Sequence, residues 1–167
     1  MQDKAVQALL DKQAIAEKLH LYCRAMDRVD DALGRSVFHE DASVDYGEIF
    51  RGTAYGFVDF VHDAHLGMLV HQHLLGNILI ALDGDSAGSE SYVTATFRIR
   101  QADGSLMGMR SHGRYVDRWR RRAGEWRIAH RAYLHDMDET WPTAMQYEPG
   151  GLRDRTDPSY EALGTPV

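Results

Sequence analysis

From Val70 onward, apolar and polar residues alternate in four long segments separated by short turns. The segments run from Val70 to Leu82, Ser91 to Arg100, Leu106 to Arg120 and Trp126 to Leu134. A period of two is typical of a β-strand with one buried face. Because the connections DGDSAG, QADGS and RRAGE are short, each strand is expected to pair with its sequence neighbour. Strands of this length twist and curl strongly, which predicts a curved sheet with a pocket on its concave side.

The residues before Val70 have the patterns of helices and one short hairpin. Residues 5–28 carry apolar side chains at the spacing of an amphipathic helix. A second helix is predicted from Ala32 to Phe38, and a third, capped by Thr53, runs to about His65. The stretch ASVDYGEIFRG between them has the alternation and glycines of a hairpin. Helices followed by an antiparallel meander predict an α+β fold.

Size and charge limit the classes of partner. The chain has 167 residues, 44% of them hydrophobic, which is enough for one domain with a substantial core. Its net charge is -6, and the one basic cluster, residues 118–122, has the pattern of a solvated hairpin end. We therefore expect neither nucleic acid nor a membrane as a partner.

The first residues bear on the cellular location, and the single cysteine limits the disulfide bonds and zinc sites that the chain can form. The N-terminus is charged throughout and has no apolar run typical of a signal peptide or a membrane span, so a cytoplasmic protein is expected. Cys23 is the one cysteine, which excludes an internal disulfide and a cysteine-based zinc site. Its place on the apolar stripe of the first helix predicts a small core residue.

His71 and His73, in LVHQHLLGN, are the most informative polar residues. Alternate strand residues face the same side, so the two imidazoles could bind one metal ion, lie buried as spare polar groups, or include a base. A metal needs a third ligand, and no tight ligand motif accompanies the pair. We predict neither a metal nor a cofactor. The third ligands open to the metal alternative are His112, His130, His135, Asp45 and Asp27.

The order of elements, together with YCRAMD, HEDASVDYG, HQHLLGN and GRYVDRWRRRAGEWRIAHR, resembles the SnoaL-like branch of the NTF2-like superfamily. The resemblance covers residues 5–138. It implies a cone in which a strongly curved antiparallel sheet wraps over the N-terminal helices around an internal pocket. Residues 1–138 would form the domain and 139–167 a C-terminal tail, which either covers the pocket mouth, contacts a neighbouring subunit or is loose. All four prolines fall at 142 or later.

Three enzymes of that superfamily share a site pattern with this chain. Scytalone dehydratase, bile acid 7-alpha-dehydratase and hexachlorocyclohexane dehydrochlorinase resemble it in placing an Asp at the end of the first helix and a His early in the first long strand. Asp27 and His73 occupy those positions. The resemblance implies a dyad in which His73 is a general base and Asp27 fixes its tautomer and stabilises the imidazolium.

Further matches extend the candidate site. Tyr22 resembles a tyrosine of the bile acid enzyme, Tyr46 and His112 resemble residues of scytalone dehydratase, and Arg131 resembles an arginine of the dehydrochlorinase. The tyrosines would polarise the substrate, His112 would protonate a leaving group, and Arg131 would stabilise an anion. Met26 stands where scytalone dehydratase has a tyrosine, so no relative's substrate carries over.

The resemblance implies a cofactor-independent lyase, in the manner of a dehydratase, acting on a small cyclic or aromatic hydrophobic substrate. Isomerisation, retro-aldol cleavage and dehydrohalogenation with the same dyad remain open, as do a non-catalytic ligand-binding module and an oxygenase subunit. The family's convex sheet face commonly packs into dimers or trimers, so a homo-oligomer is expected. Phe97, Trp119 and Tyr133 are the candidate contact residues.

Overall fold

The structure is a computed structural model that describes residues 2–164, with side chains from residue 3. Its helices are α1 Gln2–Arg28, α2 Asp31–Ser36, α3 Ala54–Leu66 and α4 Pro158–Leu163. Asp30 and Thr53 cap α2 and α3 by accepting backbone N–H groups, so the predicted cap at Thr53 is confirmed. No helix within the described range is long and apolar enough to cross a membrane.

Six strands form one open, curved sheet. They are β1 Phe38–Asp45, β2 Arg51–Thr53, β3 Val70–Asp83, β4 Ser86–Arg100, β5 Leu106–Arg122 and β6 Glu125–Thr143, in the order β2-β1-β6-β5-β4-β3. The four long strands pair as the predicted antiparallel meander, and β1 and β2 form the predicted hairpin. The α+β prediction is confirmed. The sheet is mixed rather than wholly antiparallel, because β1 lies parallel to β6.

The strands extend beyond the apolar alternation that predicted them. β4 begins at Ser86 because a tight turn at Gly84, whose φ is 57°, joins it to β3. β6 continues to Thr143, which pairs with Leu106, although residues 135–140 are exposed. Alternation cannot reveal a strand whose two faces are both exposed. The predicted boundary at residue 138 therefore falls inside β6, and the division into domain and tail stays a prediction.

The core lies between α1 and the concave face of the sheet. Ile15, Leu19 and Met26 of α1 are buried against it, and Cys23 is buried as predicted. Two buried rings donate to polar partners: Trp119 Nε1 to Ser89 Oγ at 2.8 Å and Trp126 Nε1 to Asp11 Oδ1 at 3.0 Å. The same Asp11 accepts from Arg121 of the hairpin end, which links α1 to the β5–β6 turn.

The prediction that Phe97, Trp119 and Tyr133 offer contacts on the convex face of the sheet was wrong. Trp119 is fully buried, Phe97 is 7% exposed, and Tyr133 packs against the core, so all three face the concave side. The residues that alternate with the buried ones along these strands face the opposite side of the sheet. Leu74 and Tyr92 are exposed there. Oligomer formation stays a prediction, and these three residues do not offer a contact for it.

The tail folds back onto the helices of its own chain. Tyr160 of α4 donates its hydroxyl to Asp30 Oδ2 at 2.7 Å. The Arg153 guanidinium donates to backbone carbonyls at the end of α3 and in the connection to β3. These carbonyls belong to His65 at 2.8 Å, Met68 at 2.6 Å and Leu69 at 2.7 Å. The tail is thus anchored beside that connection rather than loose.

Candidate active site

Asp27 and His73 form a hydrogen-bonded pair, although they are 46 positions apart. Asp27 lies at the end of α1, and its Oδ1 is 2.7 Å from His73 Nδ1. The backbone N–H of His73 also donates to both carboxylate oxygens, at 3.0 and 3.1 Å. An ionised carboxylate only accepts, so Nδ1 carries the ring proton and Nε2 keeps its lone pair. The ring is therefore oriented and poised to accept a proton at Nε2.

His73 lies at the wall of a cavity of about 280 Å³ between α1, α3 and the concave face of the sheet. Carbon atoms dominate the wall, so the cavity suits a small, largely apolar molecule. The apolar and aromatic side chains around it include Ile49, Phe57, Phe60, Val61, Val93, Ala95, Phe97 and Met109.

Tyr22 and Tyr46 bring two hydroxyl groups to the same cavity, with their oxygens 2.8 Å apart. Burial raises the pKa of both phenols, and that of Tyr46 well above its ordinary value, so both stay protonated. One proton joins the two oxygens, and the second is free to be donated into the cavity. Tyr46 is further held by a stacked Phe57, with ring centroids 3.9 Å apart. The pair is a fixed hydrogen-bond donor for a substrate oxygen.

Arg131 lies behind this pair rather than in the cavity wall. It is fully buried and forms a bidentate ion pair with Asp117, at 2.7 and 2.8 Å. Its guanidinium carbon is 4.1 Å from the ring centroid of Tyr22 and 4.0 Å from that of Tyr115. The predicted role of Arg131, electrostatic stabilisation of an anion, stays a prediction, and the guanidinium is not part of the cavity wall. Its charge reaches the cavity through the tyrosines that it supports.

His112 does not join the site. Its neighbour Ser111 lines the cavity, and strand alternation turns His112 to the opposite face, where Nδ1 is 3.1 Å from Thr94 Oγ1. The predicted role of His112 as an acid toward a leaving group is corrected for this reason. The resemblance located His112 along the strand only to within about one residue. A shift of one residue moves a side chain to the other face of the sheet.

His65, which was not predicted as a site residue, lies in the cavity wall. It belongs to α3, is 3% exposed, and has its ring centroid 5.6 Å from that of His73. Burial, with the nearby imidazoles of His71 and His73, lowers the pKa of His65 to about 2. The sequence held a signal, because His65 falls on the helix face of Val61 and Val58, which lie four and seven positions earlier.

His71 is buried within the chain. Its Nε2 is 2.8 Å from the carbonyl oxygen of Met26, and burial lowers its pKa. Its ring centroid lies 4.1 Å from that of His65. His71 Nε2 and His65 Nδ1 contact the carbonyl oxygen of Met26, whereas His73 Nδ1 contacts Asp27. Among residues 2–164, no group of three or more His, Cys, Asp or Glu side chains is arranged to hold a metal ion.

Ser111 and Tyr133 form a second pair of hydroxyls in the wall, 3.0 Å apart. Both were missed as site residues, since serine and tyrosine on a long strand have no distinctive spacing. Tyr133 stacks on Tyr46, with ring centroids 5.3 Å apart. The cavity is thus lined by two hydroxyl pairs, Tyr22–Tyr46 and Ser111–Tyr133, and by the imidazoles of His65 and His73.

Comparison with known sequences places this architecture in a family. The model of the SnoaL-like domain matches residues 7–132, which is most of the chain. The chain belongs to the SnoaL-like domain family. It therefore lies in the NTF2-like superfamily, as the resemblance implied. No protein of curated function matches the sequence of this SnoaL-like protein.

Solved structures similar to this SnoaL-like protein share its fold. A candidate scytalone dehydratase from Novosphingobium aromaticivorans is 21% identical, with a TM-score of 0.71 over 89% of this chain and 95% of that one. The hexachlorocyclohexane dehydrochlorinase LinA-type3 from Novosphingobium barchaimii is 14% identical, with a TM-score of 0.72 over 87% and 99%. A candidate aromatic ring hydroxylase from N. aromaticivorans is 25% identical, with a TM-score of 0.67 over 81% and 94%. These likenesses show the fold that the chains share.

Proposed function

We propose that this SnoaL-like protein is a cofactor-independent lyase that eliminates water from a small cyclic or aromatic, largely apolar substrate. The observation that carries the proposal is the 2.7 Å contact between His73 Nδ1 and Asp27 Oδ1 beside a largely apolar cavity. An imidazole that a carboxylate orients beside a substrate cavity is suited to proton transfer.

The reaction begins with proton transfer from carbon. His73 Nε2 takes the proton from a carbon next to a carbonyl group, and Asp27 stabilises the imidazolium that forms. The carbonyl oxygen gains negative charge and accepts the free hydroxyl proton of the Tyr22–Tyr46 pair in a hydrogen bond. Because burial raises the pKa of these phenols, they donate hydrogen bonds and keep their protons.

The second half of the reaction expels the hydroxyl group. The electron pair of the enolate forms the carbon–carbon double bond as the carbon–oxygen bond breaks. With His112 on the outer face, the imidazolium of His73 is the nearest acid, so it returns its proton to the departing oxygen and water leaves. One residue then acts as base and acid, and both groups depart from the same face of the substrate.

The comparisons support elimination as the reaction class. A candidate dehydratase and a dehydrochlorinase are among the structures with this fold, and both names describe eliminations. Isomerisation needs the same base and differs in that the proton returns to another carbon. Product analysis separates the two outcomes, because elimination releases water and isomerisation conserves mass.

A panel of cyclic β-hydroxy ketones tests the proposal, with the conjugated enone product followed by its ultraviolet absorbance. His73→Gln and Asp27→Asn are expected to lower the turnover by roughly 10²- to 10⁴-fold, the usual contribution of a general acid–base group. His112→Gln, a histidine on the outer face, is the matched control and retains turnover. Circular dichroism of each variant confirms the fold. Wild-type turnover in both dyad variants contradicts the proposal.

A further inference from the structure

We infer that His65 determines substrate specificity by accepting, at Nε2, a hydrogen bond from a hydroxyl group of the substrate. The inference rests on the proposed function, because it assigns a substrate contact to the same cavity. His65 belongs to α3 and brings a ring nitrogen to the wall of that cavity, which the hydroxyl-bearing residues Tyr22, Tyr46, Ser111 and Tyr133 also line.

The carbonyl oxygen of Met26 fixes the tautomers of two imidazoles. It lies 2.8 Å from His71 Nε2 and 3.4 Å from His65 Nδ1, the latter being a long contact. A carbonyl oxygen only accepts, so each of these nitrogens carries a proton. His65 Nε2 is then the nitrogen with the lone pair. Burial and the neighbouring imidazoles, which lower the pKa of His65, keep a second proton off the ring.

The free lone pair of His65 faces a cavity that otherwise offers donors. Among the described residues, His65 Nε2 has no hydrogen-bond partner, while its ring forms part of the wall. The hydroxyl pairs Tyr22–Tyr46 and Ser111–Tyr133 line the same cavity. A substrate hydroxyl group that donates to Nε2 adds a hydrogen bond that the cavity wall does not otherwise provide at this atom. A molecule that lacks the hydroxyl group forgoes this bond and binds more weakly.

The tail holds this residue in place. The Arg153 guanidinium donates to the carbonyl of His65 at 2.8 Å, and the same carbonyl accepts from the backbone N–H of Met68 at 3.0 Å, so the last turn of α3 is held from two sides. On the ring side, His71 packs against His65 with centroids 4.1 Å apart. The His65 ring is therefore constrained from its backbone and from its face.

The spacing of the imidazoles narrows the substrate class. The ring centroids of His65 and His73 are 5.6 Å apart, so groups within one small molecule can contact both. We therefore assign the substrate to cyclic or aromatic compounds with two oxygen functions. A carbonyl oxygen accepts from the tyrosine pair, and a hydroxyl group donates to His65. Halogenated hydrocarbon rings lack both groups and do not fit this pattern.

Binding of matched ketones tests the inference without requiring turnover. Acetophenone is compared with its 3′- and 4′-hydroxy derivatives by calorimetry or NMR titration. The wild-type protein is expected to bind at least one hydroxy derivative about 10- to 100-fold more tightly than acetophenone. His65→Phe removes that preference and leaves acetophenone binding in place. His65→Gln, whose side-chain oxygen can replace Nε2, restores part of the preference.

The outcomes separate this inference from the proposed function. His73→Gln, which removes the base, is expected to keep the preference for the hydroxyl group. A preference without turnover of any substrate would therefore count against the lyase and not against the role of His65. The inference is overturned if the wild-type protein binds none of the ketones, or binds them without a preference for the hydroxyl group. It is also overturned if His65→Phe keeps the preference.

The tautomer provides a ligand-free test. Long-range ¹H–¹⁵N correlation of the imidazole rings at neutral pH, with His65→Phe used for assignment, is expected to show His65 protonated at Nδ1 alone. A proton on Nε2, whether in the other neutral tautomer or in an imidazolium, would overturn the inference.

Discussion

The imidazoles of His65, His71 and His73 lie close together, but each has a different set of partners. His73 Nδ1 is held by the Asp27 carboxylate, and the other two rings face one carbonyl oxygen of Met26. A carboxylate partner favours a protonated imidazole, and burial beside other imidazoles opposes one. In the proposed reaction His73 is the base that gains a proton, and burial, which lowers the pKa of His65 and His71, keeps the other two rings neutral.

Burial of His65 makes stability depend on pH. Its pKa is about 2 in the folded chain and about 6.5 when unfolded, so below pH 6.5 the unfolded state binds one more proton. Stability then falls as the pH falls, by about 1.4 kcal/mol per pH unit. Between pH 7 and pH 5, His65→Phe is expected to remove roughly 2 kcal/mol of the acid-induced loss.

Urea unfolding of both proteins at the two pH values measures this difference. The lowered pKa of His71 acts in the same direction and is present in both proteins, so it cancels in the comparison. An equal loss of free energy of unfolding in the wild type and in His65→Phe would contradict the burial of a neutral His65.

At the scale of elements, β5 and β6 are joined by the ion pair of Asp117 and Arg131. Both side chains are fully buried, and the pair lies directly behind the tyrosine wall of the site. Removing one partner leaves an uncompensated buried charge, whereas replacing both with apolar groups does not. The ion pair thus has two effects: it holds β5 against β6, and it places a positive charge beside Tyr22.

Asp117→Asn is expected to lower the free energy of unfolding by about 3–5 kcal/mol, because it leaves the Arg131 charge buried without a carboxylate. The double variant Asp117→Leu with Arg131→Met is expected to lose much less. Equilibrium urea unfolding measures both. If the double variant proves as unstable as the single one, packing rather than charge would dominate this position.

At the same scale, the tail restrains the connection between α3 and β3. Arg153→Met removes three charge-assisted hydrogen bonds to carbonyls and is expected to lower the local stability of residues 66–69 by roughly 1–3 kcal/mol. Amide hydrogen exchange should become faster there and stay unchanged in β5. Arg155→Met, on the same tail but paired with Asp30, is the matched control. Unchanged protection at residues 66–69 would contradict the restraint.

At the scale of the whole molecule, the sequence was most informative where one face is buried and the other is exposed. Alternation predicted the meander, and the family resemblance paired Asp27 with His73. Alternation did not predict the exposed end of β6, and it does not report which face of a strand is concave, so Phe97 and Tyr133 were misplaced. Parallel pairing of β1 with β6 depends on contacts distant in sequence, for which local patterns carry no signal.

The central claim concerns proton abstraction by His73, and hydrogen–deuterium exchange at carbon measures it most directly. Cyclohexanone is incubated in heavy water, and loss of its α-proton signal is followed by NMR. The wild-type protein and His112→Gln are expected to accelerate the exchange above the buffer rate, and His73→Gln and Asp27→Asn to return it to that rate. Exchange at the wild-type rate in His73→Gln, or no acceleration by the wild type, would contradict the account.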